Sequence, residues 1–364
     1  MPSLNPLTKS VEGGIPTSKI SSLGIREYTE ARETLLSPYA QQSIRSRGRI
    51  NPEQLDPIRS AFQHDRDRII HTNAFRRLKH KTQVFIAPTG DHFVTRLTHT
   101  LEVAQIARTI ARALNLNEDL VEAISLGHDL GHTPFGHTGE EVLNELNKGG
   151  FRHNEQSLRV VDTLEKDGNG LNLSWEVRDG ILNHSKSEDS LFGPGRGKTA
   201  TYEAEVVKIT DAIAYINHDL GDAIRAGMLS ESELPQETTS ILGRSPSARI
   251  NTMVSDIIAC SWPISGRTVA EGIPAICMSP QIGKATDDLR RFLFARVYKV
   301  LTDTEGTQQA CTVVRGLYHH LVAHPELLPA EYFRNSDGLA RRVVDYIAGM
   351  TDIYALRLAE TLNI

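Results

Sequence analysis

The chain is predicted to be mainly α-helical. Apolar residues recur at spacings of three and four through most of its 364 residues. Convincing alternating patterns are few, and Gly, Pro, Ser and Asn collect between the periodic segments. The first helix is expected over residues 25–36, followed by a polar, Arg-rich stretch at 43–51. Residues 65–81 read as a very basic helix. Residues 96–114 read as another, with Leu97, Leu101, Ala104, Ala107, Ala111 and Leu114 along one face. Glu118 and Asp119 open a helix reaching to 130, in the turn where the helix dipole favours acids. Further helices are predicted over 153–166, 175–182, 202–222, 289–301, 305–323 and 337–362. Residues 186–200 read as a Gly/Ser/Lys-rich loop. The Pro-containing stretch 233–280 reads as turns with a short strand pair near 250–278. The expected architecture is a helical bundle with additional C-terminal helices and few short strands. No internal repeat is present.

Bulk properties bound the function. Hydrophobic content of 39% and charged content of 23% suit a globular protein. A net charge of −5 argues against a dedicated nucleic-acid binder and leaves a local basic patch open. Cys260, Cys277 and Cys311 are odd in number and not at ligand spacing, which fits a reducing cytoplasm rather than a disulfide framework. No apolar run is long enough to span a membrane, and the N-terminus lacks a signal-peptide core. Residues 1–22 are rich in Ser, Pro, Gly and Lys and are expected to form a mobile tail.

The chemistry concentrates in the segment His128-Asp129-Leu-Gly-His132-Thr-Pro-Phe-Gly-His137, with three imidazoles and a carboxylate in ten residues. Packing gains nothing from such a cluster, whereas a divalent metal and phosphate chemistry would use it. His99 shares a helix face with Arg96, Val103, Ile106 and Ile110. Asp211 sits mid-helix between strongly apolar flanks, where a buried carboxylate needs a partner or a metal. Each residue alone fits a buried His–Asp network. Together, His99, His128, Asp129 and Asp211 offer a mixed N/O ligand set suited to Mn, Mg, Fe, Co or Ni. Gly193–Thr199 looks like a phosphate-binding loop at a glance. Phe192 stands where the pattern requires glycine, so a surface loop is expected instead.

Longer blocks sharpen this reading. They are Arg66-Asp-Arg-Ile-Ile-His, Phe75-Arg-Arg-Leu-Lys-His-Lys-Thr-Gln-Val-Phe85, Arg96-Leu-Thr-His99, the segment 128–140, His153-Asn-Glu-Gln-Ser157, Tyr215-Ile-Asn-His-Asp219 and Asp345-Tyr-Ile-Ala-Gly-Met-Thr-Asp-Ile-Tyr354. In this order they resemble the deoxynucleoside triphosphate triphosphohydrolase (dGTPase-like) family of the HD superfamily, whose H…HD…D signature falls on His99, His128-Asp129 and Asp211. The resemblance runs from about residue 25 to 227 and is weaker over 233–333. It implies an HD-domain helical bundle, hydrolysis of a dNTP to deoxynucleoside and inorganic triphosphate, and attack at the α-phosphorus. It implies a homo-oligomer, a hexamer or a tetramer, and in some members a dNTP activator at a second site. The expected division is a tail at 1–22, an HD phosphohydrolase core at 23–230 and a C-terminal helical region at 231–364 packed on it.

Attack on the α-phosphate needs charge neutralisation and protonation of the departing 5′-oxygen. By resemblance His132, His137 and His153 line the pocket beside the metal. Glu140 is expected to orient His153, with His137 the rival general acid. Cationic partners for the triphosphate come from Arg66, Arg68, Arg76, Arg77, Lys79, Lys81 and Arg96. Arg96 is the strongest because it shares a face with His99. Asp211, Tyr215 and Asp219 fall at i, i+4, i+8 on one stripe. The family implies that Gln83, Tyr215 and Asp219 meet the sugar, Asp219 accepting from its 3′-hydroxyl. Two alternatives stand beside this. One is another HD phosphohydrolase acting on a cyclic nucleotide, a guanosine polyphosphate or a nucleoside monophosphate. The other is a non-catalytic nucleotide-binding regulator with a structural metal.

Overall fold

The computed structural model describes residues 24–86, 92–185, 199–269, 272–334 and 336–364. The expected tail and most of the Gly-rich loop, with the phosphate-loop look-alike, lie outside them. The described residues are mostly helical. Their only β pairing is two isolated antiparallel bridges, Arg49 with Ser174 and Thr82 with Thr95.

Helix α1 (Ile25–Glu33) leads to a 3₁₀ turn at Ser43–Arg45. The predicted helix 65–81 is broken in two. Helix α2 (Ala61–Ile70) stops at His71, and Thr72 caps a second short helix, α3 (Asn73–Arg77), by accepting from the Phe75 N–H. A cap residue inside a basic, helix-favouring run ends one helix and starts the next. Helix α4 (Arg96–Ala113) begins with a Thr95/Thr98 capping box. Its buried arc includes Arg96, His99, Val103, Ala104, Ile106, Ala107, Ile110 and Ala111. Leu101, expected inside, is 50% exposed. Asn117 caps α5 (Glu118–Gly127) by accepting from the N–H groups of Asp119 and Leu120.

Helices α6 (His137–Leu146), α7 (His153–Arg159), α8 (Trp175–Asn183) and α9 (Tyr202–Arg225) follow. The 24-residue α9 is buried along most of its length and packs against α4 and α5. Beyond it come α10 (Gln236–Leu242) and α11 (Pro246–Cys260). Helix α11 occupies the region expected to pair as strands. Ser245 caps it, Pro246 takes the position where a missing N–H costs nothing, and Met253, Val254 and Ile257 bury one helical face. The β-branched content there favours strands only weakly, and packing overrides it. Helix α12 (Pro280–Leu293) starts nine residues earlier than expected, again at a proline, and runs on as a widened turn through Tyr298.

Helix α13 (Glu305–Ala323) matches its predicted bounds. The predicted helix 337–362 is two, α14 (Leu339–Ala348) and α15 (Asp352–Thr361), separated by Gly349–Thr351 where Thr351 caps the second.

Two apolar cores result. One joins residues of α2, α4, α5, α8, α9, α11 and α12. The other joins Phe135, Val142, Leu143 and Phe151 to α13, α14 and α15. The turn between α5 and α6, residues 128–136, runs between the two.

Candidate metal centre and acid–base cluster

Helix α5 ends at Gly127, so His128 and Asp129 project from its last turn into the space beside α4 and α9. The turn is clamped from behind. Ser157 of α7 donates its hydroxyl to the His128 carbonyl at 2.6 Å and accepts from the Gly131 N–H at 2.9 Å. Glycine is required at 131, because a Cβ there would lie 2.1 Å from the Ser157 nitrogen. That close approach also brings the start of α7, and with it His153, to the turn. Gly136, at φ 59°, completes the reversal into α6.

His99, His128 and Asp129 are buried, and their ligand atoms lie within 4.8 Å of one another. Asp211 joins them through His99, with its Oδ1 3.2 Å from His99 Nε2. Asp129 Oδ1 is 3.4 Å from His128 Nε2, and its Oδ2 is 3.9 Å from His99 Nε2.

Second contacts orient both imidazoles. His128 Nδ1 lies 2.6 Å from the Ser125 carbonyl, an acceptor only, so Nδ1 carries the hydrogen. Its Nε2 lone pair is buried with no hydrogen-bond partner. An orphaned imidazole nitrogen facing a carboxylate at the centre of this set fits a divalent cation. His99 Nδ1 is 2.9 Å from His218 Nε2. His218 Nδ1 is in turn 2.8 Å from Asp219 Oδ1, an ion-pair contact rather than a linear hydrogen bond. Burial would raise the pKa of Asp129, but His128, His132 and Arg96 hold it well below the usual carboxylate range. Arg96, also buried, donates from Nη1 to Asp129 Oδ2 at 2.8 Å and from Nη2 to the Gln83 carbonyl at 3.4 Å.

Next to this set stand His132, His137, Glu140 and His153. Glu140 is the hub. Its Oε1 accepts from the His153 backbone N–H at 2.8 Å, both its oxygens lie 3.0 Å from His153 Nδ1, and Oε2 lies 3.0 Å from His137 Nδ1. Burial alone would raise Glu140, but the two imidazoles hold it far below the usual range, so it is a carboxylate. His132 stacks on His153, with ring centroids 4.0 Å apart and planes 11° apart. Burial, Arg96 and His153 push the His132 pKa well down, so it is neutral. The His137 side chain is 67% exposed and stands at the mouth, whereas His153 lies deeper, at 13%. Glu140 therefore serves both candidate acids, not His153 alone.

The sugar-side candidates come from two places. Gln83 is buried beside Arg96, with its Oε1 lacking a partner. Tyr215 and Asp219 follow Asp211 along α9. The Asp219 carboxylate accepts from the Tyr298 hydroxyl at 2.5 Å. The other proposed triphosphate cations scatter. Arg66 pairs with Asp67, Asp119 and Glu122; Arg68 binds Glu53 and two backbone carbonyls. Lys81 is wholly enclosed and donates to the carbonyls of His132 and Ala348, so it braces the turn. Arg76 and Lys79 are exposed, and Arg77 lines a separate cleft with Tyr332 and Asp345.

Three further residues join the site: His184 and His218, which the sequence leaves as ordinary histidines able to approach the pocket, and Tyr298, which it does not single out. His184, at the end of α8, has its Nδ1 2.7 Å from the Ile181 carbonyl and its Nε2 3.2 Å from His153 Nε2. With Asp129 and His153 it forms a further trio able to hold a metal. His218 buttresses His99. Tyr298 reaches Asp219 from the C-terminal half. A signal was available: Arg290 and Tyr298 stand at i and i+8, the spacing of Asp211 and Asp219.

A helical bundle that brings His99, His128-Asp129 and Asp211 together has the arrangement expected of an HD domain. The HD domain model matches residues 96–216, and a phosphohydrolase-associated domain model matches residues 276–361. The chain is 56% identical over 335 residues to a deoxyguanosinetriphosphate triphosphohydrolase-like protein of Caldanaerobacter subterraneus subsp. tengcongensis, covering 91% of this chain and 94% of the relative. Relatives of the same name from Clostridium tetani and Geobacter sulfurreducens are 46% and 43% identical, covering 95% and 88% of this chain and 98% and 93% of their own lengths. The chain belongs to the dGTP triphosphohydrolase-like family of HD nucleotide phosphohydrolases. No helix among the described residues is long and apolar enough to cross a membrane.

Proposed function

We propose that the protein hydrolyses a 2′-deoxynucleoside 5′-triphosphate to the deoxynucleoside and inorganic triphosphate in a metal-dependent reaction. The observation that carries this reading is the Glu140 hub, which joins His137 and His153 directly beside the His99, His128, Asp129 and Asp211 set. A purely structural metal site has no use for such a cluster. The names of the relatives support dGTP as the first substrate to try.

His99, His128, Asp129 and Asp211 would hold a divalent cation (Mn, Mg, Fe, Co or Ni), which when bound would supply Lewis-acid polarisation of a phosphoryl oxygen. Arg96 adds a fixed positive charge on the same side. Against burial, Glu140 raises the pKa of His137, so His137 can hold a proton for the departing 5′-oxygen; His153, in contact with the same carboxylate, is the second candidate by position. The buried, unpartnered Gln83 Oε1 suits a ligand hydroxyl, and Tyr215 and Asp219 supply the rest of a sugar wall. His218 ties Asp219 back to the ligand His99, so metal and sugar walls are joined.

The deciding experiment is incubation with each dNTP, alone and in mixtures, in Mn²⁺ or Mg²⁺, with products resolved by ion exchange. Inorganic triphosphate and deoxynucleoside are expected. Orthophosphate or pyrophosphate as first product would move the protein to another HD phosphohydrolase activity. Stimulation by a second dNTP in the mixtures would mark an activator site. The proposed assembly is a homo-oligomer of the 40.3 kDa chain, a hexamer or tetramer. Light scattering with and without dNTPs tests it, and a monomer throughout would exclude it.

A further inference from the structure

Cys260 and Cys277 lie outside the site and outside anything its chemistry uses. Cys260 is the exposed last residue of α11, and Cys277 is half-buried in the extended segment that leads into α12. Their sulfurs are 2.6 Å apart, closer than two unbonded sulfurs normally rest. The contact is imposed by a docked backbone. The Cys277 N–H donates to Ser261 Oγ at 3.0 Å, and the Ser279 N–H donates to Asp256 Oδ2 at 2.8 Å, one turn before Cys260. Ile276 and Met278 are buried on either side, so the Cys277 side chain is pinned from both directions. Both cysteines are uncrosslinked thiols, as is Cys311 on α13, which serves as an internal reference.

We propose that Cys260 and Cys277 form a thiol–disulfide exchange site, modified by a low-molecular-weight disulfide. One thiolate attacks a sulfur of the small disulfide, forming a mixed disulfide and releasing one small thiolate. The second cysteine then attacks the protein-side sulfur, closing Cys260–Cys277 and releasing the other small thiol. Two protein S–H bonds and one small S–S bond are lost; one protein S–S bond and two small S–H bonds form. The protein loses two electrons and the small disulfide gains them. The second step is favoured because the partner sulfur is already in contact, whereas solvent thiols must diffuse in. The closed bond would fasten the segment before α12 to α11. Helix α12 and its extension carry Arg290 and Tyr298, so the crosslink would anchor the element that reaches Asp219.

The test exposes the full-length protein to graded ratios of oxidised to reduced glutathione, then alkylates it. Intact-mass and peptide mapping give the readout. Cys260 and Cys277 are expected to lose alkylation together, with a mass two alkyl groups below that of the fully alkylated reduced chain and a crosslinked Cys260–Cys277 peptide, at ratios that leave Cys311 alkylated. Cys260→Ser and Cys277→Ser should each trap a stable glutathione adduct on the remaining cysteine. Equal reactivity of all three cysteines, or separate glutathione adducts on 260 and 277 in the wild-type chain, overturns the proposal.

Discussion

The two histidine groups of the site are built from the same side chains and held in opposite ways. In the set of His99, His128, Asp129 and Asp211, second contacts fix which nitrogen faces the centre: the Ser125 carbonyl for His128 and His218 for His99. In the set of His132, His137, Glu140 and His153, one carboxylate touches two imidazoles, and exposure grades from the enclosed His132 to the open His137. Rings held with one nitrogen turned to the centre suit holding an ion, since a ligand nitrogen must face it. A shared carboxylate with graded access suits moving a proton, since the charged imidazole is stabilised without being buried. Proximity alone would not separate these proposed roles; the second contact of each ring supports the division.

The largest expected effect breaks the first group. Asp211→Ala should strip the metal and reduce turnover to background, read by elemental analysis and product formation. Unchanged metal content would remove Asp211 from the ligand set. The next effect separates the groups. His153→Ala should retain metal content and substrate binding and lose roughly 10²–10⁴ in rate. His137→Ala should behave in the same way if it is the proton donor, and comparing the two assigns the acid. Loss of metal in His153→Ala but not in His99→Ala would invert the division.

A third measurement probes the link between the groups and the sugar wall. dNTP hydrolysis should exceed NTP hydrolysis by at least about 10²-fold, the scale expected when a packed ribose face excludes an added hydroxyl. Comparable kcat/KM for GTP and dGTP would remove the sugar assignment. Asp219→Ala should also weaken metal affinity by ~10–100-fold, because His218 loses the carboxylate that orients it toward His99. Without the structure, Asp219 reads as a sugar contact alone.

The four proposed metal ligands and the four proposed acid–base residues stand out in the sequence because they fall in short polar blocks beside apolar helices. The stripe Asp211, Tyr215, Asp219 was legible from helical spacing. Tyr298 is not singled out, because tertiary packing brings it in from an otherwise ordinary segment, and His184 and His218 are given no role although both could approach the pocket, His218 from within the block 215–219. The wall behind the turn was equally hidden. Asp352, at the start of α15, accepts from the N–H groups of Thr82 and Phe135, at 2.9 Å each, and so braces both chain segments that frame the site. Helix breaks at Thr72 and Thr351 were missed because a threonine inside a periodic run reads as helix until its hydroxyl is seen capping the next one.

The smallest effect concerns a third kind of buried carboxylate, one with no cation beside it. Glu203, in the first turn of α9, is enclosed. Its Oε1 accepts from the N–H groups of Gln41 and Asn117, at 3.0 Å each, and Glu33 lies nearby with Asn117 between. Burial pushes its pKa up to about 7, the opposite of Glu140, where neighbouring imidazoles outweigh burial. The folded state therefore holds this proton more tightly than the unfolded chain, whose glutamate has the ordinary value of 4.5. The resulting stabilisation is complete below pH 4.5 and is lost as pH rises through 7. Its upper bound is roughly 3 kcal/mol. Glu203→Gln keeps the acceptor oxygen for both N–H groups and carries no charge. The stability difference between variant and wild type, followed by denaturant unfolding, should therefore grow in the variant's favour from pH 5 to pH 8. Other groups titrate in that range in both proteins and cancel in the difference. A flat difference would mean that water or local rearrangement solvates Glu203 in the folded chain, and that a buried carboxylate here needs no cation to stay charged.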